Sequence, residues 1–421
     1  MKLTFEDLKN YKLKGDKKNT EFLNTWLPMV YERRHECGID ELVKRIGAVV
    51  MSIDHAKAVD YICRLHYMTP YRFKACYVNA THRIYILENT PDTPVYFILE
   101  PLSNSFTDEL TEMNDLYPLS KKTPNARYVG EIFVTTDRAR TADILRSQDI
   151  RFHKPGDTPN AFYHNDAFIF SKTSTFTRNR IGYTENNLHD FDNLDIGEKL
   201  CLSRETIGRF DAAAAVHTQY GLDRYIGGID HIATRLLYGD REEAILEFIT
   251  MTNYYYWGAY NIDDQNSSTN VTRNPNASDD ASLEVNSPAK VFTANNTPSF
   301  LNSFRNLPMP TETFVLRYGR RLHHIAYEIK DLVHEGNIQA IDYVVATLRE
   351  NGIEFLAKVF GSCAGKPDLK QIFSKTCPYD VTITEYVQRC MGFDGFFTKE
   401  NVGDLTQAAG LEVLQKSGIY D

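Results

Sequence analysis

Two short runs in the C-terminal half nearly repeat: Gly228-Ile229-Asp230-His231-Ile232-Ala233 and Arg321-Leu322-His323-His324-Ile325-Ala326. A third run, Thr384-Glu385-Tyr386-Val387-Gln388-Arg389, carries a carboxylate in an otherwise strand-like stretch. Two imidazoles and one carboxylate on one face of an octahedron leave about three positions open. That is the ligand set of mononuclear iron(II) sites that take up a substrate and dioxygen. A 2-oxo acid could fill two open positions through its carboxylate and keto oxygens. Successive side chains of a strand point to opposite faces, so of His323 and His324 only one should reach the site. Superposing His-Ile-Ala on His-Ile-Ala selects His324 and leaves His323 behind it or on the opposite face.

The elements that must position these residues recur. Strand, helix and three further strands are read from near residues 47, 128, 229 and 322, an internal βαβββ repeat used four times in two halves. The first unit has strands at 48–53, 71–79, 83–88 and 95–99 and a helix at 54–66, with Asp54 placed to cap it. The second has strands at 128–135, 150–153, 162–172 and 180–184 and a helix at 137–147. In the third, strands at 231–237, 254–260, 290–295 and 313–318 surround a helix at 240–251. The fourth has strands at 322–329, 353–359, 369–374 and 381–388 and a helix at 338–351. If the last two units close into one curved sheet, His231, His324 and Glu385 can meet. At the equivalent places in the first two units lie residues around Val50 and Glu131, so the N-terminal half reads as a copy without metal.

The connecting stretches are less regular. Residues 1–40 form an extension with packing work and a helix at 20–34. Residues 186–225 link the halves and include a packing helix around 211–217. The run 262–288, rich in Asn, Ser, Asp and Pro, reads as a surface loop or flap.

A chain of 421 residues, 42% hydrophobic and 24% charged, has room for two or more domains with sizeable cores. A net charge of −9 argues against a broad nucleic-acid surface. No run approaches the roughly 20 apolar residues of a membrane helix. Charges near the N-terminus stand where a signal peptide would place its apolar core. These features lead to the expectation of a cytoplasmic protein with no nucleic-acid or membrane partner. The cysteines at 37, 63, 76, 201, 363, 377 and 390 include no C-x-x-C pair and are expected to be reduced thiols.

The C-terminal half also resembles the 4-hydroxyphenylpyruvate dioxygenase-like family of the vicinal-oxygen-chelate superfamily. The matching blocks are Asp230-His231-Ile232, His324-Ile325-Ala326, Gly352-Ile353-Glu354-Phe355-Leu356, and Gln371-Ile372-Phe373-Ser374-Lys375 running on to Glu385-Tyr386-Val387-Gln388-Arg389. Gly395-Phe396, with Asn401 beyond, resembles the family's glycine- and phenylalanine-rich run before its C-terminal helix. In the N-terminal half only the repeat pattern agrees.

The resemblance implies an α+β fold of four βαβββ modules paired into two open-barrel, glyoxalase-like domains, the metal in the second. Domains would run 41–185 and 226–399, with a C-terminal lid helix and tail over 400–421. It implies Fe(II) held by His231, His324 and Glu385, with dioxygen as co-substrate and a 2-oxo acid decarboxylated and hydroxylated in one molecule. Gln371 would be a catalytic polar group, Phe373 and Phe396 pocket walls, and Asn401 a positioner of the lid helix. The family's second slot phenylalanine falls at about Val402, its pocket serine near Lys290 and its pocket asparagine near Glu312. These departures favour a side chain other than hydroxyphenyl. A homodimer or homotetramer would be expected, and tyrosine catabolism if the substrate is 4-hydroxyphenylpyruvate. A hydroxymandelate-synthase-like reaction, or a non-oxidative metal-dependent isomerase or lyase, are the alternatives. A binding protein that keeps the fold without turnover is a further one.

Overall fold

A computed structural model of the chain describes residues 3–17, 20–115, 125–155, 161–276, 287–298 and 309–417. Helix α1 (Glu21–Cys37) buries Leu23, Leu27 and Tyr31 at helical spacing, and Gly38 ends it with φ 82°. The first module is β1 (Val43–Ser52), α2 (Ala58–Met68), β2 (Arg72–Val78), β3 (His82–Glu88) and β4 (Val95–Pro101). The second is β5 (Arg127–Thr135), α3 (Arg138–Arg146), the short β6 (Ile169–Phe170) and β7 (Arg180–Thr184). Helix α4 (Arg204–Tyr220) leads to the third module, which is β8 (Ile226–Arg235), α5 (Arg241–Met251), β9 (Tyr255–Ile262), β10 (Ser267–Arg273) and β11 (Ala289–Asn295). Helix α6 (Pro310–Tyr318) precedes the fourth, made of β12 (Arg321–Ile329), α7 (Ala340–Glu350), β13 (Phe360–Gly361), β14 (Asp368–Phe373) and β15 (Ile383–Cys390). Helix α8 (Lys399–Ser417) follows.

Each half builds one open sheet. The N-terminal order is β6-β7-β5-β1-β4-β3-β2 with Glu198–Lys199 at the edge, and the C-terminal order is β9-β10-β11-β8-β12-β15-β14-β13 with Lys14–Gly15 beside β9. The opening strands of paired modules run antiparallel at the centre (β1 with β5, β8 with β12), each flanked by a parallel closing strand. The two central ladders match in their irregularities as well. The slip between Ile46 and Ala48 corresponds to that between Ile229 and His231, and the slip between Val50 and Met51 to that between Ala233 and Thr234.

One apolar core joins facing sides of the two sheets, with Phe133, Phe248 and Tyr254 packed together and Tyr96 Oη 2.5 Å from Tyr327 Oη. A second core lies within the N-terminal sheet, around Phe97, Phe106, Phe162, Phe168 and Phe170. The N-terminal extension belongs to the C-terminal half. Lys14 and Gly15 pair with β9, and buried Arg34 on α1 donates to the Ile249 carbonyl at 2.9 Å. Among the described residues no helix is long and apolar enough to cross a membrane.

Several sequence expectations are corrected. Within 262–288, Ser267–Arg273 is a strand in the sheet interior, not a surface loop; residues 277–286 lie outside the described set. Its polar side chains are buried because they bond one another and the backbone. Asn270 Nδ2 donates to Ser268 Oγ at 3.1 Å, and Thr272 Oγ1 to the Lys290 carbonyl at 3.0 Å. The stretch 313–318 is helical because Pro310 starts a turn that buries Phe314, Val315 and Tyr318 on one side. Asp54 does not cap α2, whose N-cap is Lys57; its carboxylate accepts from the Asn125 N–H at 3.3 Å. The strands expected at 150–153, 162–172 and 353–359 shrink to bridges at Phe152 and Phe355 and to two-residue β6. Cys363 and Cys390 are joined by a disulfide with Cα atoms 5.6 Å apart, and the other five cysteines are free.

Candidate metal centre

Three central strands of the C-terminal sheet converge on one point. Across the ladder His231 lies opposite Ala326 and Ala326 opposite Glu385, while His324 lies opposite Ala233. His231 Nε2 is 3.1 Å from His324 Nε2, and Glu385 Oε2 is 3.0 and 3.2 Å from those two atoms. All three side chains are buried or nearly so, and they form the only His, Cys, Asp and Glu group of metal-binding proximity among the described residues. With ligand bonds of about 2.1 Å, neighbouring corners of an octahedron lie about 3.0 Å apart and those of a tetrahedron about 3.4 Å. The observed spacing of 3.0–3.2 Å lets all three atoms reach one cation.

The surrounding hydrogen bonds leave acceptors pointing at this centre. Asp230 Oδ1 lies 2.7 Å from His231 Nδ1, so Nδ1 carries the ring proton and Nε2 presents a lone pair. Burial alone would raise the Asp230 pKa, but Arg389 and His231 outweigh it and hold the carboxyl well below its usual range. Glu385 Oε1 accepts from Gln371 Nε2 at 2.7 Å, while Oε2 is buried without a hydrogen-bond donor. Two imidazole lone pairs and a carboxylate oxygen facing one another need a positive charge between them. With protein groups alone, burial opposes a charged His231, yet Glu385 and Asp230 prevail and raise it to about 9. His324 is pushed the other way, down, by burial, His231 and Arg235. A divalent cation replaces that proton and satisfies all three groups at once, so the residues fit a bound metal.

Local irregularity does part of the positioning. In β12 the partner of Ala233 is His324 and the partner of Thr234 is Leu322, so His323 is an extra, bulged residue. The bulge breaks the alternation expected from a regular strand. His323 therefore shares a cavity with His324, their Nδ1 atoms 2.8 Å apart, rather than facing away. The cavity, about 40 Å³, is also lined by Arg235, Thr269, Val291, Thr293, Phe373 and Phe397, and by Val402, Leu405 and Thr406 of α8.

The other residues singled out from sequence separate clearly. Gln371, Phe373 and Val402 line the cavity. Phe397 lines the cavity, while Phe396 sits edge-on to His231, its ring centroid 5.7 Å away, and packs against Trp257 and the Arg389 guanidinium. Asn401 ties α8 to β14 by donating to the Leu369 carbonyl at 3.0 Å. Lys290 does not reach the site. It neighbours Ile232 rather than His231, so pleating sends it into the interface between the sheets, where it pairs with Glu131. Glu312 sits on α6 beside Asn295, off the cavity wall. In the N-terminal ladder, register and bulges place Ala48, Gly130 and Gly182 where His231, His324 and Glu385 stand. A Cβ on Gly182 would lie 2.7 Å from the Phe170 ring, so apolar packing fills that space. These positions replace Val50 and Glu131.

Of the two placements left open for His323, the structure shows the one behind His324. Asp230 stands in a matched motif without a role, and the sequence alone does not single out Arg235.

Among solved structures, a mutant of 4-hydroxymandelate synthase from Streptomyces coelicolor aligns with a TM-score of 0.58 at 14% identity, over 89% of this chain and 100% of that one. A xylose isomerase-like TIM barrel/4-hydroxyphenylpyruvate dioxygenase fusion protein aligns with a TM-score of 0.53 at 11% identity. That match covers 88% of this chain and 52% of the fusion protein, so the chain spans about half its length. No protein-family model matches the sequence, and no curated protein matches it. The likeness is one of fold: the chain shares the overall architecture of these structures.

Proposed function

We propose that the protein is an iron(II)-dependent dioxygenase that oxidatively decarboxylates a 2-oxo acid and hydroxylates the same molecule. The observation that carries this reading is the buried triad, with Glu385 Oε2 3.0 and 3.2 Å from the two imidazole Nε2 atoms, beside a cavity that Glu385 and His324 line. His231, His324 and Glu385 would hold the metal. Iron(II), once bound, supplies a redox-active Lewis acid with positions open to a keto acid and dioxygen. Proteins named as 4-hydroxymandelate synthase and as a 4-hydroxyphenylpyruvate dioxygenase fusion share the fold, which supports the same class of chemistry.

The chain's own residues prepare the site. Asp230 keeps His231 in the tautomer that ligates through Nε2, and Gln371 fixes one oxygen of Glu385 so that the other faces the metal. Phe373, Phe397, Val402 and Leu405 give the cavity beside the reacting centre apolar walls. In the net reaction dioxygen is consumed, and the substrate's carboxylate leaves as carbon dioxide. One oxygen atom enters the new carboxyl group and the other becomes a hydroxyl.

The test is oxygen uptake by iron-loaded protein with a panel of 2-oxo acids that includes 4-hydroxyphenylpyruvate. The reading expects uptake matched one to one by carbon dioxide release with at least one acid, and none in Glu385→Ala. Metal-dependent turnover that persists under nitrogen, without uptake, would point to isomerase or lyase chemistry instead.

A further inference from the structure

The cavity beside the triad contains a buried cation with no acid partner among the described residues. Arg235 lies on β8 four residues beyond His231, and strand alternation puts both on one face. It is 3% exposed and lines the cavity. Its contacts are the Pro310 carbonyl at 3.4 Å and the Phe314 ring, whose centroid is 5.3 Å from the guanidinium carbon. Its Nε is buried without a partner. Buried Arg34 is matched by Asp40 and Lys290 by Glu131, while buried Arg127 and Arg321 donate to backbone carbonyls away from this cavity. An unmatched buried charge is expensive, and removing one partner of such a pair is strongly destabilising. Burial lowers Arg235 to about 9, which still leaves it cationic at neutral pH.

A second donor faces the same space. His324 turns Nε2 to the triad, so its ring proton sits on Nδ1 and is donated to His323 Nδ1. His323 Nδ1 accepts that bond. Its own proton then sits on Nε2, a buried atom without a partner. The apolar part of the cavity wall is Val291, Phe373, Phe397, Val402 and Leu405, which suits a short aliphatic spacer. The space is about 40 Å³.

We infer that Arg235 and His323 form a subsite for an anionic far end of the substrate, which is a compact aliphatic 2-oxo acid bearing a second carboxylate. The inference rests on the 2-oxo acid chemistry proposed above and narrows its substrate class. A guanidinium fork suits a planar carboxylate, and the cavity lets this charge pair form away from water.

Anaerobic, iron(II)-loaded protein is titrated calorimetrically with 2-oxoglutarate and 2-oxoadipate. The chain-matched 2-oxopentanoate and 2-oxohexanoate, which lack the second carboxylate, serve as comparison. At least one dicarboxylate should bind about tenfold or more tightly than its match, the scale of a charge-assisted hydrogen bond. Arg235→Met should erase that preference while monocarboxylate binding changes little, and Arg235→Lys should keep part of it. Equal binding of the two classes by the unaltered protein, or a preference that survives in Arg235→Met, overturns the anionic subsite and leaves keto-acid chelation standing. Failure of every 2-oxo acid to bind the metal-loaded protein contradicts the underlying reading, and this inference with it.

Discussion

The proton on His231 Nδ1 decides what the site can bind, because the Asp230 carboxylate that holds it there frees Nε2 for a metal. In Asp230→Asn the charged acceptor is lost and Arg389 keeps no carboxylate of its own. Cation affinity should fall about 10- to 100-fold, measured by competition with a chelator, while circular dichroism stays native. A pH dependence follows from His231. Its pKa is raised from 6.5 to about 9, so in the metal-free protein its proton stabilises the fold fully below 6.5, and this contribution is lost as pH rises through 9. A cation must displace that proton. Affinity for a redox-inert cobalt(II) probe should therefore climb about tenfold per pH unit from roughly 7 to 9 and then level off. A flat profile over that range would contradict a His231 that keeps its Nε2 proton up to about pH 9. His231 and His324 were legible because His-Ile-Ala recurs at the same place in two repeats. Arg235 was not, since a sequence shows a charge but not whether its partner is missing.

The elements set these side chains through irregularities as much as through regular pleating. A regular β12 would turn His323 away, and the extra residue in its ladder turns it inward. Such a bulge leaves no mark on hydrophobic periodicity. Strand β10 escaped notice because Ser267, Ser268, Thr269 and Asn270 look like a loop, yet they are buried and bonded to each other and to β11. For α6, the strand preference of Thr313, Phe314 and Val315 was outweighed by Pro310 and by packing on α8, where a Cβ on Gly410 would lie 2.6 Å from Pro310. Helix α8 closes the cavity and is held to β14 by Asn401. Asn401→Ala should cost about 1–3 kcal/mol. Hydrogen exchange should quicken along 399–413 while the central strands keep their protection. Uniform loss of protection would instead assign Asn401 to global stability.

At the scale of the molecule, one architecture is used twice and armed once. Both halves keep the same ladder register, but Ala48, Gly130 and Gly182 stand in the N-terminal half where the triad stands in the other. The four-unit repeat was readable from periodicity; the mutual packing of the sheets was not. It turns on groups such as Lys290 and Glu131, each 2% exposed in its side chain and paired across the interface. Lys290→Met should cost about 3–5 kcal/mol by leaving Glu131 unpaired. Adding Glu131→Leu should restore most of the loss in a denaturant titration, and neither change should alter metal binding. The most direct test of the whole account is an anaerobic iron(II) titration of the metal-free chain and of His231→Ala, His324→Ala and Glu385→Ala. One iron per chain, with affinity collapsing in all three variants, is the predicted result. Iron binding that survives all three substitutions would contradict it.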